Sequence, residues 1–308
     1  MTGLRATAVT VALPAAHLAL TTAAFARAAE PSITVTQITD KLTLLSGAGG
    51  NVTAFNAPEG VLLVDGGSPE RSADVLKAVR KLTGTKGVHT LFNTHWHWDQ
   101  TGSNRVLGEA GTRIIAHENT KLWLGTDVNS KREQRVFPRL PPKARPNQTF
   151  YTTGSLDFGG EHIEYGLLPQ AHTDGDIYIF FRNANVLVAG DVLSAGKYPV
   201  IDYSTNGWIG GMVNATKTVL DLGNAQTKYV AGLGPVLSRA DVQAENEMLA
   251  AMKLRLSKLL ARGMSIQDMI DAAPAKDFDA QWGEPSTFIA DVWPGISLRA
   301  GELGVNIV

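Results

Sequence analysis

The chain contains no cysteine. That excludes disulfides, thiolate-ligated zinc, iron–sulfur clusters and thiol nucleophiles, so any metal must be held by imidazole, carboxylate or amide oxygen. Net charge is also nearly absent, with 28 Lys and Arg against 29 Asp and Glu, which leaves no electrostatic footprint for nucleic acid. Beyond the first 28 residues, no apolar run approaches the ~18–20 residues that a membrane helix needs. Histidine is scarce, at seven in 308 residues, so chemistry that requires imidazole has few positions to occupy. What remains is ordinary for a globular protein: 44% apolar and 19% charged residues, too apolar for wholesale disorder.

Residues 1–28 read as a targeting segment. Arg5 is the only charge before a small-residue apolar stretch, Ala6 to Ala26, which ends in Ala24-Phe25-Ala26 or Ala26-Arg27-Ala28. A positive start, an apolar middle and a small-x-small end make a secretory signal peptide. The alternative is an uncleaved anchor; Pro14, His17 and the weakly lipophilic alanines favour cleavage. The expectation is a mature domain over 29–308, periplasmic or secreted, with no stable membrane insertion and a small-molecule substrate.

The mature chain alternates strands and helices. Val61–Val64, Ile177–Phe181 and Val186–Val188 are continuous apolar runs of the kind buried on both faces of a sheet, and Val88–Phe92 reads as another buried strand. Helical spacing follows Pro69, and helices are expected over Gly207–Leu222 and Arg239–Arg262, the second with Ser238 and Asp241 at capping spacing. The pattern predicts an α/β fold with two β-rich halves around one core. Between 131 and 146 the composition changes. Six basic residues face one acid, among Pro138, Pro141, Pro142 and Pro146. That density excludes helix and strand, leaving either a solvated loop or a flap beside a site that attracts anions.

His95-Trp96-His97-Trp98-Asp99 follows the strand Val88–Phe92. In extended chain, residues two apart point the same way, so both imidazoles and Asp99 can face one metal. Solvent-facing histidines between two tryptophans are the bland alternative. His172 stands in a turn before Ile177–Phe181, and Asp191 follows Val186–Val188, so each candidate sits where a buried strand opens into a loop. His117 and His162 read as structural, and His89 carries no assignment. Trp96, Trp98 and Trp208 either line a pocket or fill the core.

Asp65-Gly66-Gly67, the His95-x-His97-x-Asp99 block, His172-Thr173 and Ala189-Gly190-Asp191, in this order and spacing, resemble the metallo-β-lactamase superfamily. That resemblance implies an αββα sandwich of two mixed β-sheets flanked by helices. It also implies one metal site from His95, His97 and His172, a second from Asp99 and a further His, and Asp191 between them. Two positions depart from the pattern. Gln100 stands where the family's block usually has His, and Gly232-Leu233-Gly234-Pro235 stands where it has its last His. Asp99 and Asp191, with Gln100, suit a weakly held Mg²⁺, Mn²⁺ or Ca²⁺ better than zinc. One tightly bound Zn²⁺ is therefore expected. The resemblance makes Asp65 a residue that orients a ligand histidine; otherwise it only starts a turn.

The expected chemistry is hydrolysis of a small ester, lactone, lactam or related substrate, with a β-lactam admitted by export, Asp99 handling the proton and Asp191 assisting. Two other readings stand beside it. One is a mononuclear iron dioxygenase using His95, His172 and Asp191, as in persulfide dioxygenases of the same superfamily. The other is a metal-binding protein whose activity has eroded.

Overall fold

The computed structural model describes residues 32–84, 87–130 and 132–299. The segment 1–28 read as a signal peptide lies outside them. An antiparallel meander opens the chain: β1 (Thr34–Gln37), β2 (Leu42–Ala48), β3 (Gly50–Ala57) and β4 (Gly60–Val64). After α1 (Ser72–Thr83), β5 (Val88–Phe92) returns parallel to β4. Two short helices, α2 (Trp98–Thr101) and α3 (Asn104–Glu109), lead to β6 (Arg113–His117), parallel to β5. Then come α4 (Glu118–Leu124), a hairpin of β7 (Val128–Ser130) and β8 (Arg135–Phe137), and β9 (Gln148–Phe150), which closes the first sheet beside β6.

The second sheet begins with four antiparallel strands, β10 (Thr153–Phe158), β11 (Glu161–Leu167), β12 (Ile177–Phe181) and β13 (Val186–Gly190). Past α5 (Ile209–Leu222), β14 (Lys228–Ala231) adds parallel to β13 and β15 (Val236–Leu237) antiparallel to β14. Helices α6 (Arg239–Leu260), α7 (Ile266–Asp271), α8 (Asp279–Trp282) and α9 (Ser286–Leu298) follow. Both sheets are mixed, as the expected αββα sandwich requires.

Burial follows the apolar runs. β4, β12 and β13 are buried at every residue, because each is covered on both faces. Phe55, Leu62, Phe92, Ile163, Ile179 and Phe181 interleave between the sheets. Val75 and Val79 of α1 cover the outer face of the first sheet against Leu63, Leu91 and Ile114. Met212, Val242, Met252, Leu256 and Ile289 cover the second against Leu187 and Tyr229. Among the described residues no helix is long and apolar enough to cross a membrane.

Two expectations need correction. The 131–146 segment does hold a strand: β8 pairs with β7 through Val128–Phe137, Asn129–Val136 and Ser130–Arg135. The prolines all lie after Phe137, so the hairpin's own residues keep their backbone donors. The three helices beyond α6 carried no sequence assignment. α9 is apolar around most of its circumference and contains Pro294, which masks its helical period.

Glu245, on α6 and 1% exposed, anchors the segment after β13. Its carboxyl accepts from Ser194 N at 3.0 and 3.2 Å. Ser194 Oγ lies 2.6 Å from both Glu245 Oε1 and the Lys197 carbonyl. One hydroxyl hydrogen cannot serve both acceptors, and a protonated Glu245 resolves this by donating to Ser194 Oγ. Burial accordingly raises Glu245 from 4.5 to about 7, against the Ser194 bonds. The native state thus binds this proton more tightly than the unfolded chain. Stability from it is complete below about pH 4.5 and is lost as pH rises to about 7, on the order of 3 kcal/mol. Glu245→Gln keeps the amide donor and acceptor without the charge. Its melting temperature, scanned from pH 4.5 to 8, is expected to change less with pH than the wild type's and to exceed it at pH 8.

Candidate metal centre

All four turns that carry candidate residues open at one edge of the sandwich. Asp65 ends β4, His95 and His97 follow β5, His172 precedes β12 and Asp191 follows β13. His95, His97, His172 and Asp191 offer donor atoms that all lie within 4.8 Å of one another. Asp191 Oδ2 is 3.8 Å from His95 Nε2 and 3.7 Å from His172 Nε2. Asp99 is not in that group; it lines the same cavity, beside it.

Each ring has one nitrogen committed to an oxygen, and that commitment sets the tautomer. His172 Nδ1 lies 2.7 Å from the Val200 carbonyl, which only accepts, so Nδ1 carries hydrogen and Nε2 keeps its lone pair. His97 Nε2 lies 3.1 Å from Asp202 Oδ2 and donates to it, freeing Nδ1. Thr94 Oγ1 donates to Asp65 Oδ2 at 2.8 Å, so it accepts from His95 Nδ1 at 3.1 Å and frees Nε2. The free nitrogens of His97 and His172 face each other at 2.9 Å, while His95 Nε2 is buried without a partner.

These observations fit a divalent metal of borderline softness. Tetrahedral zinc with Zn–N near 2.0–2.1 Å sets neighbouring nitrogens ~3.3 Å apart. Burial, with the charges of neighbouring histidines, pulls His172 down to about 3 and His95 well below its usual value. Burial also pulls on His97, but the Asp202 bond and charge outweigh it and raise that ring. Without metal, a proton between His97 and His172 serves the facing lone pairs, so a metal competes with that proton. Asp202 is held below the usual carboxylate range despite its burial, chiefly by His97, with the Ser204 and Thr205 hydroxyls adding to it.

Asp65 works at one remove. Its carboxylate accepts from Thr94 N and Oγ1, each at 2.8 Å, and reaches His95 only through that hydroxyl. Its own φ is +64°, a left-handed conformation that aspartate tolerates better than most residues. Gln100, fully buried, donates from Nε2 to Asp191 Oδ1 and to the Gly232 carbonyl, both at 3.3 Å. Gly232 is required there, because a Cβ would fall 1.7 Å from Asp191 Oδ1.

The remaining histidines and tryptophans fall elsewhere. His117 caps α4 by accepting from Asn119 N. His162 pairs with Asp157 on an exposed strand face, and His89 packs on Phe158. Trp96 is buried with Leu124 and Phe137, and Trp208 packs against the α5–α9 cluster. Of the three tryptophans, Trp98 lines the cavity over the metal group, which measures about 300 Å³. Thr94, Val200 and Asp202 carried no sequence assignment. Thr94, next to His95, was the one with a local cue, a hydroxyl beside a ligand.

A family model for the metallo-beta-lactamase superfamily matches residues 45–259. The chain belongs to that superfamily, whose members are usually metal-dependent hydrolases. It is 24% identical over 247 residues to the 2,4-dinitroanisole O-demethylase subunit alpha of Nocardioides sp., covering 79% of this chain and 70% of that one. It is 31% identical over 128 residues to a hydroxyacylglutathione hydrolase of Gloeobacter violaceus, covering 42% and 43%. Among solved structures, a metallo-beta-lactamase from Pontibacter korlensis superposes with a TM-score of 0.58 at 17% identity, over 71% of this chain and 99% of that one. A sec-alkylsulfatase from Pseudomonas sp. gives 0.61 at 14%, over 78% and 45%. These structural likenesses establish the fold.

The chain from Asp65 through Thr94 to His95 predicts a specific failure. In Asp65→Asn the amide donates to Thr94 Oγ1, whose hydrogen then turns toward His95 Nδ1 and drives the ring proton onto Nε2. Zinc affinity, measured by chelator competition, is expected to fall about 10–100-fold while circular dichroism stays unchanged.

Proposed function

We propose that the protein is a hydrolase working with one tightly held zinc ion on a small ester, lactone, lactam or related substrate. The observation that carries this reading is a ring of three imidazole nitrogens and one carboxylate oxygen opening onto a cavity that also presents Asp99. His95, His97 and His172 would hold the ion, with Asp191 beside them. Zinc bound there would supply Lewis acidity and make water easier to deprotonate near neutral pH.

The protein's own groups do the rest. In the metal-free site burial first, and then the charge of Asp191, raise the Asp99 carboxyl above its usual range, and a carboxylate beside the reacting water can act as its base. Asp99 takes the proton of the attacking water and returns it to the leaving group. Gln100 keeps Asp191 aimed at the histidines through its amide. A second cation among Asp99, Asp191 and Gln100 is weak or absent, because these positions offer carboxylate and amide oxygens and no imidazole. His97 Nδ1 faces His172 Nε2 at 2.9 Å, which supports a three-imidazole set over the two-histidine, one-carboxylate arrangement of an iron dioxygenase.

The relatives' names range from lactamase to alkylsulfatase to O-demethylase, so the shared centre leaves substrate choice to the loops. The sequence pattern of residues 1–28 supports export, and a periplasmic location keeps a β-lactam within the substrate range.

Elemental analysis is expected to find one zinc per chain; two, or iron, overturns the metal assignment. His95→Ala is expected to lose both metal and turnover. Asp99→Asn is expected to keep zinc and lose about 10²–10⁴ in kcat on an ester, lactone and lactam panel. Full zinc without activity on that panel would favour a binding protein. N-terminal sequencing of the protein from its source cells is expected to begin at Arg27 or Ala29, directly after one of the two small-x-small sites; a start at Met1 sinks the export reading.

A further inference from the structure

Part of the lining of the cavity over the histidines comes from the hairpin β7–β8, and it presents two arginines, Arg132 and Arg135. They are not equivalent. Arg132 Nε is committed to Asp291 Oδ2 on α9 at 3.0 Å. The Arg135 guanidinium has no hydrogen-bond or ion-pair partner among the described residues. Glu70 and Glu133 line the same cavity, and neither pairs with it.

Arg135 is nevertheless held in place. Its guanidinium carbon lies 4.5 Å from the ring centre of Phe137 and 5.1 Å from that of Trp98. Contact with two aromatic rings restrains where the guanidinium sits while its N–H groups keep no protein acceptor among the described residues. Trp98 follows the ligand His97 directly in sequence, so the clamp is tied to the metal centre's own segment. A charged donor fork, with its rotamer restrained beforehand and without an acceptor, is prepared to take two oxygens of an anion.

We propose that Arg135 binds a carboxylate or equivalent oxyanion on the part of the substrate remote from the bond being cleaved. The proposal rests on the hydrolase reading above only for the place of cleavage; recognition of the anion is a separate property of the hairpin.

The test compares methyl 4-acetoxybenzoate with 4-acetoxybenzoate, whose carboxylate cannot reach its own ester, on zinc-loaded wild type, Arg135→Gln and Arg135→Lys. The ratio of kcat/KM for the anionic over the neutral ester is expected to fall at least tenfold in Arg135→Gln, with the neutral ester unchanged. Arg135→Lys, which keeps charge but not the fork, is expected to fall between. An unchanged ratio, or an equal fall for both esters, overturns the proposal. If the wild type cleaves neither ester, these esters give the hydrolase reading no support, and calorimetry then decides Arg135. Glutarate binding tenfold weaker in Arg135→Gln sustains the assignment, and equal glutarate affinity overturns it.

Discussion

Two buried imidazoles and the half-buried His97 turn unprotonated nitrogens toward one another, and the pair on His97 and His172 is only 2.9 Å apart. Lone pairs at that distance repel unless a cation or a proton lies between them. Everything around the site serves to keep those nitrogens free. The Val200 carbonyl, the Asp202 carboxylate and the Thr94 hydroxyl each accept the hydrogen of one ring. Because two of these acceptors sit on the segment after β13, and the third follows β5 and is held by Asp65 at the end of β4, the fold must bring the ends of β4, β5, β12 and β13 to one edge before any ring is oriented. The sandwich supplies that edge, with its buried strands held by apolar contact on both faces.

The other half of the centre is organised by a neutral group. Gln100 spans Asp191 and the Gly232 carbonyl, and Asn51 ties the same turn by donating to the Ala231 and Gly234 carbonyls. An amide can hold a carboxylate in position without cancelling its charge. Gln100 therefore positions Asp191 beside the histidines without adding an opposing charge. Leu233, 56% exposed, contributes an apolar side chain to a small cavity next to Asp191, where a coordinating side chain would otherwise stand. The two departures from the family pattern are thus consistent with each other: one supplies a hydrogen bond in place of a ligand, and the other supplies none.

The parts legible from sequence are those whose cause is local. β4, β12 and β13 are apolar runs, α6 begins at a capping box that Ser238 and Asp241 complete on their own, and His95 and His97 share a strand-like spacing. The illegible parts depend on long-range pairing. Asp202 lies 105 residues from His97 and Val200 lies 28 from His172, and neither belongs to a repeating spacing or a short motif. Proline content misled over β8, because the prolines of that segment cluster after Phe137 and leave the hairpin free to pair. Asp65 was legible as a residue that matters to a histidine, but not the hydroxyl through which it acts.

The candidate metal-binding residues all lie within the residues 45–259 that match the superfamily model, but one support of the cavity wall does not. Asp291, on α9 and beyond that match, holds Arg132 of the hairpin at 3.0 Å. α9 in turn packs against α6, with Ile289 and Val292 in the same cluster as Met248 and Met252. The hairpin's position over the metal group therefore draws on the C-terminal helices as well as on the aromatic contacts of Phe137 with Trp96 and Trp98. Ligand geometry and cavity shape answer to different parts of the chain. A change in α9 can alter what the cavity admits without moving a ligand, whereas a change at Asp65, Thr94 or Asp202 acts on the metal first.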